Sequence, residues 1–561
     1  MGDRRRLVLV GLVAVTALLG AACASQPAEP QLECRPSEPR SCLLPFPSER
    51  YLTRDDSTAT GWRVVVPDDA LPASVLGQLR PGGDQHAAYD GADGFSPLTP
   101  ITFQFPTALA DGEVADNGGG HIAVVDADSG APLEFRADRS VDAVRFGQPD
   151  TLLLLWPATM WPAGHRVKAT VSLPGRPAAS TTFVVRSLDN GLGNLDALAA
   201  AVRAEDHPIR HLSVGPSILG GAQLVSGEVA TTDFRNDDGV IPRDGAPPHR
   251  TTWVRFIMTL PERPASAKGA PVAIYGHGIT AFKETMAVVA GPNADAGIAT
   301  IGIDIPNHGE RMAEGSVFDL AIPAKLGRLT SMPLQGTLDN LSLLLAVRSH
   351  LGELRTLVPQ AGVDLDVDDV LYEGTSMGGF LGAELLGIAP EITNAFLQVP
   401  GSGIIDTLNH SILWPVFAQI LPAGLSAGEA GVLLSAASSM ADRTDNALVL
   451  GRIKKLGTAI RIVYGAGDGT VPNPSTDRML RLLDMPVAGP IKAPTTARRI
   501  DVDSIAKMDG SQLDRVATQI DTWGEQQSWL GGLLTHISFI DQTPMEDLRA
   551  WILRRADEAR E

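Results

Sequence analysis

A chain of 561 residues, 44% hydrophobic and 20% charged, has the composition of a globular protein and the length for two to four domains at roughly 150 residues each. Its net charge of -19 repels polyphosphate and anionic membrane surfaces, which argues against nucleic acid as a partner. The sequence carries no glycine-rich phosphate cradle of the Walker type.

Arg4-Arg5-Arg6 precede an apolar run from Leu7 to Ala22 that would reach about 24 Å as a helix, short of the roughly 30 Å hydrocarbon core. Residues 1–23 therefore read as a signal peptide. Its end, Leu18-Leu19-Gly20-Ala21-Ala22-Cys23, resembles a bacterial lipobox, with Gly20 in place of the usual leucine. The resemblance implies a lipid on Cys23 and a stable membrane anchor; the alternative is ordinary cleavage beside an incidental cysteine. Either way the protein is expected to be exported, as a cell-envelope lipoprotein or a secreted protein. Cys34 and Cys42 lie close together beyond the cleavage point, in an oxidising compartment, and a local disulfide is expected. Residues 24–44 are polar and proline-containing, as in a tether.

Between residues 45 and 190, short strand-like runs are separated by Gly, Pro and Asp turns: Ile101 to Phe105, Ile122 to Val125, Thr151 to Leu155 and Arg166 to Val171. They predict an all-β, sandwich-like domain. The stretch PFPSERYLTRDDSTATGWRVVVP, followed by DGFSPLTPITFQF, resembles the N-terminal domain of some bacterial extracellular lipases, of the virulence factor lipase type. Residues 191–250 hold a helical patch, Asn194 to Ala204, and a strand-like run, Gln223 to Ala230, and lead into a second domain.

From residue 251 to 561, apolar runs alternate with helical stretches: Trp253 to Leu260, Val272 to Tyr275, Ala299 to Ile305, Val370 to Glu373, Ala395 to Val399 and Ala459 to Tyr464. This alternation predicts a doubly wound, mainly parallel α/β sheet. Asp364, Asp366 and Asp368 have the spacing that opens an EF-hand, but Asp369 stands where glycine is needed, so the run is read as a solvated loop.

Gly374-Thr375-Ser376-Met377-Gly378 follows the apolar run Val370-Leu371-Tyr372 and runs into Gly379-Phe380-Leu381-Gly382-Ala383-Glu384. Strand, G-x-S-x-G turn and helix make a nucleophile elbow, which exposes Ser376 above the sheet. A serine hydroxyl needs a base, and the base needs a carboxylate to orient it. The strand Ile460 to Tyr464 ends in Gly465-Ala466-Gly467-Asp468, which makes Asp468 the natural acid, with Asp477 the fallback. Only His410 and His536 follow Ser376, and only His536 follows Asp468, so His536 alone completes the order Ser, Asp, His. An amphipathic helix from Pro544 to Ala559 follows it, with Leu548, Trp551 and Ile552 on one face. His410 is read as a surface or packing residue. Met377 supplies one oxyanion N–H, and the turn Tyr275-Gly276-His277-Gly278-Ile279 suggests Gly278 or Ile279 for the other.

The elbow, the His-Gly turn, the ordered triad and the last helix resemble the α/β-hydrolase superfamily over residues 251–561. By the same resemblance Asp304 and His308, in the loop after the next strand, are architectural. Asp468 and His536 stand farther apart than one helix and strand require, so an insertion around Ile491 to Leu530 must fold over or beside the site. A second insertion, residues 403–455 between the sixth and seventh strands, is either a cap or a set of extra core helices. The function expected is that of a lipase or carboxylesterase acting on an ester or lipid substrate, with no cofactor and no metal. The alternatives are another acyl hydrolase (peptidase, thioesterase or polyester depolymerase) or a non-catalytic cell-envelope binding lipoprotein.

Overall fold

A computed structural model describes residues 44–66, 88–139, 151–243, 245, 247–315, 326–418, 426–500, 515–520 and 529–558 of the chain. The signal peptide, Cys23, Cys34 and Cys42 lie outside the described residues. Among those described, no helix is long and apolar enough to cross a membrane.

The N-terminal part is mainly β, with only short helices such as Asp111–Val114 between its strands. Strands β1 (Leu52–Arg54) and β2 (Trp62–Val64) pair antiparallel. Then β3 (Ile101–Gln104), β4 (Ile122–Asp126), β5 (Phe135–Arg139), β6 (Leu152–Pro157), β7 (Arg166–Val171) and β8 (Ala179–Val184) form two antiparallel sheets, ordered β3-β6-β5 and β4-β7-β8. Strand β7 alternates strictly, with Val167, Ala169 and Val171 buried between exposed Arg166, Lys168 and Thr170, the pattern of a half-buried strand. Its apolar face meets Phe103, Leu153, Leu155 and Phe183 in one core shared by both sheets. Strand β6 is buried on both faces. Leu153 and Leu155 enter the sandwich core, while Leu152, Leu154 and Trp156 pack outward against Ile405, Trp414, Phe417 and Leu434 from the 403–455 insertion. That second covering explains why β6 reads as an unbroken apolar run.

The second sheet has eleven strands: β9 (Ile209–Pro216), β10 (Gln223–Asp233), β11 (Arg250–Leu260), β12 (Ala270–Gly276), β13 (Ala299–Ile303), β14 (Leu365–Thr375), β15 (Asn394–Gln398), β16 (Ala459–Gly465), β17 (Val487–Ala488), β18 (Arg499–Ile500) and β19 (Ala517–Ile520). Their order is β18-β17-β19-β16-β15-β14-β12-β13-β11-β10-β9. Strands β9, β10 and β11 are antiparallel to their neighbours, and from β13 to β18 every pairing is parallel. Alternate residues serve opposite faces: Val272, Ile274, Val370, Tyr372 and Leu397 point to one core, Ala273, Tyr275, Leu371, Phe396 and Val463 to the other. The first face is covered by helices including Leu195–Ala204, Leu326–His350, Met377–Ile388 and Asn473–Leu483, the second by Ala287–Asp295 and Gln542–Glu558. Leu548, Trp551 and Ile552 are buried in that second layer, on the face the sequence spacing predicts.

A parallel sheet covered on both faces, with β12 and β13 exchanged in spatial order and antiparallel strands at one edge, is the α/β-hydrolase fold. The described part of the 491–530 stretch contributes β18 and β19 to the sheet, on either side of β17 at its edge. Asp366 and Asp368 belong to β14, not to a loop, and bond to Ser266 and Arg348 separately. The 403–455 insertion divides in two. Leu450–Leu456 is a core helix with Leu450 and Ile453 fully buried, whereas Ile404–His410, Trp414–Phe417 and Ala427–Ala441 lie against the outer face of β3 and β6.

Candidate active site

Strand β14 ends at Thr375, and Met377 already begins the next helix, so Ser376 makes the whole turn. Its φ of 55° and ψ of -118° are sparsely populated for any residue with a Cβ, and its N–H is held by the Gln398 carbonyl at 2.8 Å. The turn closes only because Gly378 has no side chain: a Cβ there would lie 2.0 Å from the Gly276 carbonyl oxygen. Met377 is the first residue of the helix, where an N–H has no carbonyl partner within the helix.

Asp468 and His536 come to Ser376 from two other directions. Asp468 follows β16, and its Oδ1 accepts the N–H groups of Thr470 at 2.8 Å and Val471 at 3.0 Å. Its Oδ2 faces His536 Nδ1 at 2.7 Å, and His536 Nε2 stands 2.9 Å from Ser376 Oγ. All three side chains are buried. His536 ends the helix Trp529–His536 instead of sitting on a loop, and that helix rests on the acid turn through the Gly469 N–H to Gly532 carbonyl bond, 3.2 Å. Asp477 takes no part: its carboxylate accepts from Thr495 and Thr496 and ties the 491–497 stretch to the helix Asn473–Leu483.

The insertion touches the acid turn directly. Ser411 Oγ donates to the Thr470 carbonyl at 2.7 Å, and the Ile412 N–H donates to the Gly469 carbonyl at 2.8 Å. Nothing in the local sequence signals these contacts, the first of which joins residues 59 apart. One turn upstream, Asp406 receives Arg136 from β5 at 2.7 Å and also Arg478, whose guanidinium reaches the carbonyls of Pro157 and Thr159. His410 is a packing residue carrying charge. It lies between Asp138 and Asp406, which hold its pKa up at about 9 against its burial, and edge-on to Trp156.

The His-Gly turn lies across from the elbow. A Cβ on Gly278 would meet Ser376 Cβ at 3.4 Å and Oγ at 3.8 Å, so a side chain there would stand beside the Ser376 hydroxyl. Behind it His277 is fully buried, and burial, with His308 close by, pushes its pKa down to about 3. Asp304 accepts the Lys283 N–H, the Lys283 ammonium and the Glu310 N–H, and His308 Nδ1 bonds the Pro306 carbonyl. Both brace the loop after β13, and neither hydrogen-bonds a residue of the Ser376–His536–Asp468 chain. Ile279 shares apolar clusters with Met377, Ile305 and Leu381 on one side and with Ile404, Leu408 and Leu413 on the other.

Beneath the elbow, Glu373 is buried with Asn293 Nδ2 at 3.0 Å, and desolvation raises its pKa to about 8. A carboxyl raised from its unfolded value stabilises fully below about pH 4.5, and the benefit is lost as pH rises through about 8. Glu373→Gln is therefore expected to flatten the fall in Tm between pH 5 and 9. The gain at pH 9 is on the order of a few kcal/mol, since one pKa unit is about 1.4 kcal/mol. An unchanged pH profile of Tm would refute this. Elsewhere, Asp126, Asp128 and His165 bring ligand atoms within 4.8 Å of one another. Both carboxylates there already accept backbone N–H groups, and the cluster belongs to the β-domain.

No family profile and no curated protein matches the chain. Among solved structures it is similar to acetyl xylan esterase 1 from Thermoanaerobacterium sp. JW/SL YS485, with 12% identity and a TM-score of 0.36 over 66% of this chain and 93% of that one. It is also similar to the acetyl xylan esterase from Paenibacillus sp. R4, with 13% identity, a TM-score of 0.36 and coverage of 64% and 94%. TT1662 from Thermus thermophilus gives 15%, 0.30, 58% and 98%. Likeness this slight carries no argument about chemistry. The α/β-hydrolase fold of this chain rests on its own strand order and connections.

Proposed function

We propose that the chain is an exported serine hydrolase that cleaves carboxylic esters, a lipase or carboxylesterase, through an acyl-enzyme on Ser376. The observation that carries this reading is the unbroken Ser376–His536–Asp468 hydrogen-bond chain, 2.9 and 2.7 Å, at the carboxyl ends of parallel strands where open α/β sheets bind ligands. His536 Nε2 takes the hydroxyl proton as Ser376 Oγ attacks the ester carbonyl. Asp468 keeps the His536 proton on Nδ1 and stabilises the imidazolium. Met377 N–H and an N–H of the 278–279 turn hold the oxyanion. His536 then returns the proton to the departing alkoxide, and water repeats the cycle to release the acid. Ile279, Ile404, Leu408 and Leu413 supply apolar surface beside the site, which suits an acyl group better than a sugar or nucleotide.

The test uses protein lacking residues 1–23, assayed on p-nitrophenyl esters of increasing chain length beside Ser376→Ala, with fluorophosphonate labelling mapped by mass spectrometry. The expected result is label on Ser376 and a loss of turnover in the variant of roughly 10⁵-fold or more. Label without ester turnover would point to another acyl hydrolase. No label on folded protein would turn the reading to a binding lipoprotein. If Cys23 is lipidated, full-length protein partitions into the detergent phase and Cys23→Ala abolishes that.

A further inference from the structure

Asp468 is fixed on one side by two peptide groups, and the insertion grips both peptides from behind. The N–H groups of Thr470 and Val471 donate to Asp468 Oδ1 at 2.8 and 3.0 Å. The first belongs to the peptide whose carbonyl is that of Gly469, the second to the peptide whose carbonyl is that of Thr470. Both peptides are trans, so each carbonyl points away from the N–H that meets the carboxylate. Those same two carbonyls accept from the insertion: the Ile412 N–H reaches Gly469 at 2.8 Å, and the Ser411 hydroxyl reaches Thr470 at 2.7 Å. Ser411 is buried, and its Oγ also accepts the Leu413 N–H at 3.1 Å, which leaves the hydroxyl proton for the Thr470 carbonyl.

The Ile412 side chain closes the same junction. A Cβ on Gly469 would stand 2.9 Å from both Ile412 Cγ2 and Gly532 Cα, so the insertion, the acid turn and the helix carrying His536 meet with no room for a side chain between them. The residues before Ser411 are anchored in turn: Asp445 accepts the Gly403 and Ile404 N–H groups, and Asp406 holds Arg136 and Arg478.

We infer that Ser411 and Ile412 are positioning residues for the acid of the triad: by holding the Gly469 and Thr470 carbonyls they orient the two peptides whose N–H groups set the Asp468 carboxylate, and with it the bond to His536. This rests on the serine-hydrolase reading of the same site. Neither residue touches a reacting atom. A hydrogen bond at a peptide carbonyl also polarises the N–H of that peptide, so the clasp strengthens the grip on Oδ1 as well as aiming it. Releasing one carbonyl lets its peptide turn, and Oδ2 drifts from its 2.7 Å contact with His536 Nδ1. The cost falls on proton transfer, when His536 becomes an imidazolium, and not on substrate binding.

Ser411→Ala is expected to lower kcat on p-nitrophenyl butyrate about 30-fold with KM changed less than about threefold, a loss within the range for a displaced catalytic group. The effect runs through the carboxylate, so in an Asp468→Ala background adding Ser411→Ala should lower kcat less than about twofold. Ser439→Ala controls for damage to the insertion as a whole. Its buried hydroxyl donates to the Ala88 carbonyl at 2.7 Å, the same kind of bond aimed at the β-domain. That variant should lower Tm as Ser411→Ala does and keep kcat within about twofold of wild type. If Ser411→Ala fails to fold, Ser411→Cys, which fills the same space with a poorer donor, carries the comparison with kcat about fivefold down.

A kcat within about twofold of wild type in the Ser411 variant, an equal loss in Ser439→Ala, or the full loss repeated in the Asp468→Ala background would overturn the inference. Ser376→Ala is assayed alongside. Ester turnover surviving that change would sink the serine-hydrolase reading itself, whereas turnover lost there with no effect at Ser411 would sink only the role of the insertion.

Discussion

Asp468→Asn is expected to lower kcat on ester substrates by roughly 10⁴-fold while leaving the fold intact. The size follows from which atoms the amide can replace. Asp468 Oδ1 accepts two backbone N–H groups, from Thr470 and Val471, so an asparagine keeps its carbonyl oxygen on that side. The amide nitrogen then faces His536 Nδ1 at the 2.7 Å contact, donor against donor. His536 escapes by moving its proton to Nε2, and in that tautomer it cannot accept the proton of Ser376. Asp468 is buried behind His536, with its oxygens taken up by His536, Thr470 and Val471, so KM should change little. A pre-steady-state assay of acylation, with Tm as the control for folding, measures the effect. A loss under tenfold would show that His536 is held in its tautomer by something other than Asp468.

Removing residues 1–190 is expected to leave no folded catalytic domain. Between β15 and β16 the chain leaves the sheet, and its helices Ile404–His410, Trp414–Phe417 and Ala427–Ala441 find their apolar partners on β3 and β6. Val432, Leu433 and Ala436 even enter the sandwich core. Deletion would expose these side chains and strand buried polar groups. Asp442, fully buried, would lose both Arg186 at 2.8 Å and Ser96 at 2.6 Å; Ser435 would lose Thr99 and Tyr89; Asp406 would lose Arg136. Asp406 keeps Arg478 and His410, but a buried charge left uncompensated, as at Asp442, costs several kcal/mol against a total stability of about 5–15 kcal/mol. Because Ser411 and Ile412 sit on the acid turn, the damage reaches Asp468. Insoluble product, or soluble product without a cooperative thermal transition, is the expected outcome. A soluble, active fragment would show that the 404–441 helices hold themselves in place.

The long central strands were legible because each holds a short, mostly apolar run: β12 throughout, β14 from Val370 and β15 from Ala395 are buried on both faces, as is β16 from Ile462, and a sequence can spell that locally. The elbow was legible for the same reason, since strand, glycines and helix follow one another within a dozen residues. Strands β9, β5 and β8 were not predicted. Each pairs with its neighbour in sequence, but their side chains are a mixture of exposed, half-buried and polar residues that spells no clear alternation. Likewise, β17, β18 and β19 are two to four residues long, too short for any periodicity, and exist because an existing sheet edge offers them partners.

His410 illustrates the limit for side chains. The sequence places it in an insertion with no hint that Arg136 and Asp138 of a β-strand some 270 residues earlier would meet it there.

By itself, then, the sequence determined an α/β sheet with a serine elbow, and it singled out Asp468 and His536, because chain order and the turn after each strand are local properties that survive without knowledge of contacts. Only the tertiary structure decided that the 404–441 helices belong as much to the β-domain as to the sheet and that His536 arrives on a helix resting on the acid turn. Those outcomes depend on packing and hydrogen bonds between segments tens to hundreds of residues apart, whose energies are settled only when both surfaces are buried together.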